Sequence, residues 1–457
     1  MKIYTKRSPL LYFLLFFITF VPLIFEADVV KSFSYVLFFL HAVVSFFLLY
    51  PRGNTKIFFS PLAITIFYVD LSFALGAYAY HHGIVLMHTD NYVDYLAWTN
   101  TGYTTFYMLM CGNVLLFLAG TWTPSSFDYR HDVEKKVLAF ALVSLCYSLP
   151  FFFMPLDASL FGGGSGGNLA VIPKSITALM FIYYLAYFRK KLRFPFYFLI
   201  LIVFAISSAH SKREAIFLVF PILLLEALFN GLVLNFRSLV VGGVVFLLCV
   251  LLIIAMSIVR GYGGFSEVDG LFSALPHVAE YVISPLFLAS FFNNIEVNYT
   301  YFHSMQALEY ICDDSELLSY GSTIFKALFV FIPRAIWEGK PLSMISLYTG
   351  FHDPAFRASG GSYPVNLYSE AFWNFRIAGL AYILVVGLAV MTLYKKFIEA
   401  LYSADLRVLP WALYVYMNFL TYVRGSGLDQ YFAYGFLSFI YVALCYFTVM
   451  PFIKKTS

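Results

Sequence analysis

Long apolar runs divide this chain along most of its length, and they restrict it to a fold that a lipid bilayer surrounds. A helix needs about 20 mostly apolar residues to cross the hydrocarbon core of a bilayer. Twelve runs of suitable character stand between clusters of charged, glycine and proline residues, at about 9–25, 33–50, 57–80, 103–121, 137–155, 175–188, 194–209, 215–233, 238–258, 377–394, 408–423 and 431–452. The sequence therefore predicts an all-α polytopic membrane protein with about twelve transmembrane helices.

Composition excludes several other classes of protein. The chain is 61% apolar and 12% charged, which is more apolar surface than a soluble domain can bury. The net charge of +4 is small and dispersed, so we expect no nucleic-acid partner. The five cysteines are scattered without the spacing of a zinc site.

Basic residues are distributed unevenly between alternate connecting loops. If the N-terminus is cytoplasmic, the inner loops and termini hold 18 of the 29 lysines and arginines. Short cytoplasmic loops of membrane proteins are enriched in these residues. An even number of spans also places the Lys454 and Lys455 tail inside. We therefore expect both termini in the cytoplasm.

The longest interval between two predicted spans covers residues 259–376 and faces the outer side. Loops of this length are uncommon unless they are functional. We expect a structured outer loop with short helices that forms a catalytic cap. It follows transmembrane helices 1–9 (residues 1–258) and precedes helices 10–12 (residues 377–457). Within it, the part-apolar stretch near 321–337 is expected to be partly buried or re-entrant.

Six basic residues lie where the preference for inner loops would not place them. A cation near membrane depth is costly and marks either a partner or a functional site. Arginine in particular binds phosphate oxygens in a bidentate manner. We expect the set to bind a diphosphate. For any single member the alternative is that it reaches the lipid head groups or pairs with a nearby carboxylate such as Glu214 or Asp429. These six, which we call the outer cations, are Lys212, Arg213, Arg260, Arg334, Lys340 and Arg424.

Other residues of the outer segment are suited to proton transfer or sugar binding. Glu370 stands just before the tenth apolar run, and a carboxylate removed from water there becomes a stronger base. An ion pair with Arg376 or Arg334 is the alternative. The rings of Trp337 and Tyr363 can stack on a sugar, although a chain with 21% aromatic residues is expected to carry an aromatic belt at the membrane interface in any case.

Four segments of the chain are SSAHSKREAIFL (207–218), FIPRAIWEGKP (331–341), SEAFWNFRIAG (369–379) and YVRGSGLD (422–429). They resemble segments of the bacterial oligosaccharide repeat-unit polymerases, the O-antigen polymerase (Wzy-type) family. The second of them is similar to the family's Pro-Arg/Ser-x-x-Trp-x-x-Lys/Arg-Pro segment, and the third to its Glu-x-x-x-Asn-x-Gly/Arg-x-x-Gly segment. This chain has Glu338 where proline is common and Arg376 where glycine is often found.

The resemblance implies a GT-C-like glycosyltransferase on the outer face of the bacterial inner membrane. Such an enzyme polymerises undecaprenyl-diphosphate-linked repeat units into O-antigen, capsule or a related glycan, without a metal or another cofactor. A flippase and a chain-length regulator of the same pathway are the implied protein partners. The implied catalytic residues are Glu370, Arg334 and Arg213. The implied diphosphate- or glycan-binding residues are Arg260, Arg424, Lys340, Lys212, Trp337, Tyr363 and Arg376.

Three alternatives remain open from the sequence. An O-antigen ligase would rely on an outer histidine such as His303 or His352. A lipid-linked oligosaccharide flippase would carry charges along a central cavity, whereas the charges here gather on one side. A membrane acyltransferase would need a histidine in an intramembrane polar pocket. His41 is the only histidine inside a confidently predicted span, and the sequence shows no such pocket around it.

Overall fold

The computed structural model describes residues 9–50, 57–86, 89–121, 133–153, 170–189, 193–207, 212–230, 271–332 and 336–454, with short pieces between 243 and 268. These parts of the chain contain helices and no strands. In chain order the α-helices are α1 (Pro9–Phe20), α2 (Ala27–Leu49), α3 (Pro61–His81), α4 (Thr89–Ala97), α5 (Thr101–Thr121), α6 (Glu134–Phe153), α7 (Val171–Phe188), α8 (Arg193–Ser207), α9 (Lys212–Phe229), α10 (Leu271–Ala274), α11 (Val278–Ile283), α12 (Phe287–Asn294), α13 (Val297–Asp313), α14 (Ser322–Leu328), α15 (Met344–His352), α16 (Pro354–Ala358), α17 (Leu367–Phe375), α18 (Gly379–Ser403), α19 (Leu409–Thr421) and α20 (Leu428–Lys454).

Seven helical stretches in the described ranges are long and apolar enough to cross a membrane. The protein is therefore a helical polytopic membrane protein, as the apolar runs predict. The stretches are Ala27–Leu49, Pro61–His81, Thr101–Thr121, Glu134–Phe152, Val171–Phe188, Leu367–Ser403 and Leu428–Pro451.

The other five predicted spans either have shorter apolar helices than these seven or lie mostly outside the described residues. Helices α1, α8 and α19 have 12, 15 and 13 residues, fewer than the about 20 that a span requires. Helix α9 is apolar only over Leu218–Phe229 and contains Pro221. The ninth run, 238–258, lies mostly outside the described residues. The total of twelve spans stays a prediction.

A sharply bent helix pair lies inside the predicted outer segment. The stretches Leu275–Ile283 and Phe287–Asn293 meet at 115°, which is the geometry of a broken span or a re-entrant loop. If the pair counts as one span, the described part of the chain contains eight. The stretch near 321–337, by contrast, forms the seven-residue helix α14 followed by turns, with residues 333–335 outside the described ranges.

The chain divides into two compact units, and the outer segment 259–376 contributes residues to both. Unit 1 consists of Met1–Gly53, Ile66–Leu116 and Leu232–Leu318. Unit 2 consists of Asn54–Thr65, Phe117–Gly231 and Ser319–Ser457.

In unit 1, helix α13 packs closely through its buried aromatic residues. The Tyr301 side chain is fully buried and packs edge-to-face against Phe73 at 5.5 Å between ring centroids. A Cβ atom added at Gly76 would lie 2.3 Å from the Tyr301 Cβ atom. Only glycine therefore allows the Tyr301 backbone to approach α3 this closely.

In unit 2, helix α7 is the central element. It is buried along almost its whole length and contacts α6, α8, α9, α19 and α20. The Tyr183 hydroxyl on α7 donates to the Leu401 carbonyl at 2.7 Å, which satisfies a buried polar group. Two further packings in this unit, α14 on α20 and α17 on α18, place the residues of the candidate site.

Candidate functional site

Helix α17 carries Glu370 into the interior of unit 2. The helix begins at Leu367 because the Asn366 side chain accepts a hydrogen bond from the Ser369 N–H at 2.9 Å, which caps its first turn. Glu370 lies in that first turn, where the helix dipole favours an acidic residue. Its side chain is only 2% exposed, so the carboxylate is removed from bulk water.

Polar groups from three other segments surround the Glu370 carboxylate. The Thr323 hydroxyl on α14 donates a long hydrogen bond of 3.5 Å to Glu370 Oε1. The Asn374 amide holds Thr323 in place, since it donates to Thr323 Oγ1 and to the Glu370 carbonyl at 2.8 Å each. The Tyr422 hydroxyl and the Leu428 N–H also face the carboxylate. The acid is therefore both buried and held in a defined orientation.

A second carboxylate, that of Asp429, lies close enough to act electrostatically on Glu370. Its Oδ2 atom is 2.5 Å from the Lys326 ammonium nitrogen, and the two side chains are 13% and 14% exposed. Two carboxylates and one ammonium leave one excess negative charge when all are ionised. Sequence analysis did not select Lys326, although it is a lysine within an apolar outer stretch, as Lys340 is.

The segment that joins α19 to α20 brings Arg424 close to the start of α17. This segment, Tyr422–Ser426, is π-helical, and the Arg424 side chain is 8% exposed. Gly425 has a φ of 128°, and a Cβ atom added there would lie 2.6 to 2.8 Å from the backbone of Val365. The absence of a side chain at Gly425 thus lets this segment pack directly on the residues that precede Glu370.

Arg376 ends α17 in a strained backbone conformation. Its φ of 50° and ψ of −134° are typical of glycine and cost a residue with a side chain about 1–3 kcal/mol. Glycine, the residue often found here in the family that the sequence resembles, would adopt this conformation without strain. Arg376 stands between α17 and α18 in the chain, and its side chain is half-buried.

Lys340 and Trp337 make contacts with the turn that follows α14. Lys340 is 6% exposed, and its ammonium donates to the carbonyls of Val330 and Ile332 at 2.8 and 2.9 Å. Trp337 is half-buried and packs edge-to-face on Phe329 at 5.5 Å. Lys340 is therefore bonded to the turn that follows α14, and its ammonium has two carbonyl partners there.

Tyr363 belongs to a separate aromatic group near α15 and α16. Its hydroxyl donates to Asp353 Oδ2 at 3.0 Å, and its ring packs near those of His352 and Phe356. The Phe356 N–H donates to Asp353, which lowers the pKa of that carboxyl, and the Tyr363 hydroxyl acts in the same direction. These contacts lie within residues 352–363 and are not with the Glu370 carboxylate.

Four of the predicted cations have side chains that the structure does not describe. Arg260 and Arg334 lie outside the described residues, and Lys212 and Arg213 are described only as the first residues of α9. Their binding and catalytic roles stay predictions. Of the predicted site, the structure brings together Glu370 and the segment of Arg424.

An apolar groove lies beside the Glu370 group and has a volume of about 360 Å³. Two hydrogen bonds connect its wall to the polar residues. The Tyr382 hydroxyl lies 3.0 Å from the Tyr422 hydroxyl, and the Gly321 N–H donates to Asn374 Oδ1 at 3.0 Å. The residues that line the groove are Gly321, Ile324, Phe325, Ala327, Leu328, Phe375, Tyr382, Leu428 and Phe432.

Unit 1 contains a buried polar group that sequence analysis missed. His41 Nδ1 lies 2.6 Å from Asp70 Oδ2, and both side chains are almost fully buried. His41 Nε2 is 3.2 Å from Asn113 Oδ1, and the Asn113 amide donates to Thr19 Oγ1 at 2.9 Å. The expectation that His41 lacks a polar pocket is therefore wrong. Residues 29 and 72 positions away supply the pocket, and such pairing is invisible in a linear sequence.

The geometry defines a helical membrane protein with a buried cluster of acidic and basic residues beside an apolar groove. In the described parts of the chain, no three His, Cys, Asp or Glu side chains lie together in a way that could hold a metal ion. Comparisons with protein-family models, with curated proteins and with solved structures found no match to this chain.

Proposed function

We propose that the protein is a glycosyltransferase that polymerises undecaprenyl-diphosphate-linked oligosaccharide repeat units into a surface polysaccharide. The reaction would take place on the outer face of the bacterial inner membrane, in a GT-C-like arrangement of twelve spans with both termini cytoplasmic. The observation that carries the proposal is the position of Glu370, a buried carboxylate beside an apolar groove of about 360 Å³. Such a site suits a substrate with a polar reacting end and an apolar tail.

Glu370 acts in this proposal on the acceptor sugar. The bond between C1 of the growing glycan and the lipid diphosphate breaks, and a new bond forms between C1 and a hydroxyl oxygen of the next repeat unit. The hydroxyl proton passes to Glu370. Lys326 and Asp429 balance and position the charge around this base, because Asp429 acts on Glu370 and is itself paired with Lys326.

The leaving diphosphate requires positive charge, which the outer cations would supply. Arg424 is buried, and a buried guanidinium acts on an anion more strongly than one in water does. Preorganised donors of this kind are often the largest catalytic contribution, and loss of one costs about 3–4 kcal/mol. Of the other outer cations, Arg213, Arg260 and Arg334 would act on the diphosphate with Lys340 in support. Lys212, Arg376, Trp337 and Tyr363 would contact the remainder of the substrate.

The apolar groove would hold the isoprenoid tail of the lipid carrier. Its lining is almost entirely apolar and includes the aromatic rings of Phe325, Phe375 and Phe432. Because Tyr382 lies in the groove wall and bonds to Tyr422, a tail in the groove would place its diphosphate near the Glu370 group.

Deletion of the gene in its host, followed by gel analysis of surface glycans and of lipid-linked intermediates, tests the proposal. We expect the ladder of long chains to collapse to a single capped repeat unit. Long polymer retained on its lipid carrier would instead indicate a ligase. Repeat units trapped on the cytoplasmic face would indicate a flippase, and an unchanged profile would refute all three.

The Arg334→Ala and Arg213→Ala variants test the cationic part of the site in the same assay. Each should abolish polymer while single lipid-linked units persist. Arg357→Ala is the matched control, because Arg357 is an arginine of the same outer segment whose guanidinium donates to the Gly361 carbonyl at 3.4 Å. Normal long chains from either test variant would remove that arginine from the mechanism.

A further inference from the structure

Unit 1 contains a second polar cleft, built from residues that play no part in the proposed reaction. With its open mouth, the cleft has a volume of about 300 Å³. Its described lining contains three asparagines and three tyrosines but no charged side chain. The residues that line this Asn/Tyr cleft are Tyr80, Val85, Leu86, Asn91, Tyr92, Asn293, Asn298 and Tyr299.

One residue of the cleft has an unused hydrogen-bond acceptor. Asn298 is 4% exposed, and its amide nitrogen donates to the Ile84 carbonyl at 3.4 Å. Its Oδ1 atom accepts from no donor in the described part of the chain. A buried acceptor without a donor is costly, so a ligand that donates a hydrogen bond would satisfy it.

The rest of the lining limits what the ligand can be. Asparagine amides both donate and accept, which matches the dual character of a sugar hydroxyl. The half-buried Tyr92 and Tyr299 offer flat apolar faces with a polar edge. The Asp94 carboxylate acts electrostatically on Tyr80, so the site disfavours an anion such as a diphosphate. The lining thus fits a neutral polyhydroxylated ring.

The size of the cleft determines how such a ring would bind. Although the empty space of the cleft includes open solvent, the volume in it that a water-sized group can occupy is about 10 Å³, which is room for one such group. A hydroxyl or hydroxymethyl group of a sugar can fill this space and reach Asn298. The ring itself would lie at the mouth, against Asn91 and Tyr92.

We propose that the Asn/Tyr cleft of unit 1 is a binding site for a neutral sugar residue of the glycan. This proposal rests on the proposed function, because the polymerase reaction would supply the glycan. It adds a contact with that glycan at a place distinct from the Glu370 group. The contact is non-covalent, so binding can be measured without turnover, and the two proposals can fail separately.

Saturation-transfer NMR on the full-length protein in lipid nanodiscs tests the proposal. The probes are galactose, mannose, N-acetylglucosamine and rhamnose, and no sugar-based detergent is present. We expect at least one probe to receive magnetisation. Asn91→Ala and Tyr92→Ala should weaken that binding about tenfold or more. Both residues line the cleft and are only half-buried, so the variants test the site without removing a fully buried side chain.

Tyr50→Ala serves as the matched control, because Tyr50 is 62% exposed and lies outside the cleft. Binding that persists in Tyr50→Ala and falls in both cleft variants supports the site. Absence of transfer from all four probes overturns the proposal. Equal binding by the wild type and the two cleft variants overturns it as well. A protein that binds a sugar in this cleft but forms no polymer would refute only the proposed polymerase.

Discussion

The Lys326 ammonium nitrogen lies 2.5 Å from Asp429 Oδ2, although the two residues are 103 positions apart in the chain. The pair joins α14 to the first turn of α20 beside Glu370. Removal of one partner from a buried ion pair leaves an uncompensated charge, whereas removal of both does not. The pair therefore holds the second carboxylate of the site at a fixed place.

We expect the Lys326→Met variant to lose polymer formation and to be less stable by about 3–5 kcal/mol. Adding Asp429→Asn should restore much of the stability, because no unpaired charge remains, but not the activity. Thermal unfolding in detergent and the glycan ladder measure the two effects. Strictly additive losses of stability in the double variant would show that the two side chains do not depend on each other.

Glu370→Gln should stop polymer formation while the protein is still produced and folded. Glutamine keeps the shape of the side chain and its acceptor for Thr323, but it cannot take up the acceptor proton. Glu316→Gln, at an exposed position of the same outer segment, is the matched control and should be fully active. Full activity of the Glu370→Gln variant would eliminate Glu370 as the base.

Arg376→Gly should raise the stability of the protein by about 1 kcal/mol. Relief of the strained φ of 50° outweighs the greater freedom of glycine in the unfolded chain. Arg357→Gly, inside the short helix α16, should lower stability, since glycine is unfavourable within a helix. Equal losses from both substitutions, measured by thermal unfolding, would show that Arg376 is not strained.

Glu309 should make unit 1 less stable as pH rises. Burial raises the pKa of Glu309 to about 7, and the nearby Asp313 adds to this, although hydrogen bonds from Asn100 oppose it. The folded protein favours the protonated acid. The contribution of Glu309 to the stability of the folded state is therefore complete below about pH 4.5 and is lost as pH rises to about 7. Its size is on the order of 3 kcal/mol.

The Glu309→Gln variant isolates that contribution. Glutamine imitates the protonated acid and can still accept the hydrogen bond from the Asn100 N–H, which Glu309 Oε2 now accepts at 2.9 Å. Between pH 5 and pH 8, the stability of the wild type should fall relative to this variant. Parallel stability curves for the two proteins would show that Glu309 does not titrate in this range.

Asp70→Asn should destabilise unit 1 through the loss of the charged partner of His41. Both side chains are almost fully buried, so we expect a cost of about 1–3 kcal/mol. Replacing both residues by leucine should cost less than the sum of the single replacements. Thermal unfolding of the three variants measures this coupling. Losses that simply add would argue against a structural pair.

The sequence predicted the membrane helices because an apolar run long enough for a bilayer is a strong and local pattern. The run 175–188 corresponds to α7, and 103–121 to α5. Helix α13 was not predicted as a long element, because polar residues such as His303 and Glu309 interrupt its apolar pattern. Those residues are buried through tertiary contacts, which no local pattern reveals.

The candidate site was predictable only in part, for the same reason. Glu370 was selected because it stands at the start of an apolar run, and the structure shows it buried. Lys326 was missed, and Asp429 was considered only as a possible partner of an arginine. Their pairing joins two distant segments, and it depends on how α14 packs against α20.

The close packing of Gly425 means that this segment is restricted in its spacing as well as in its residue type at the glycines. Tyr422 and Asp429 are seven positions apart in the chain. A Cβ atom added at Gly427 would lie only 2.9 Å from Asp429 Oδ1, so the connection between them is tightly packed. Each residue inserted before α20 would rotate the helix by about 100° and turn Asp429 away from Lys326. A single-residue insertion should therefore be more damaging than most substitutions, and chains that share this site should keep the length of the segment together with its two glycines.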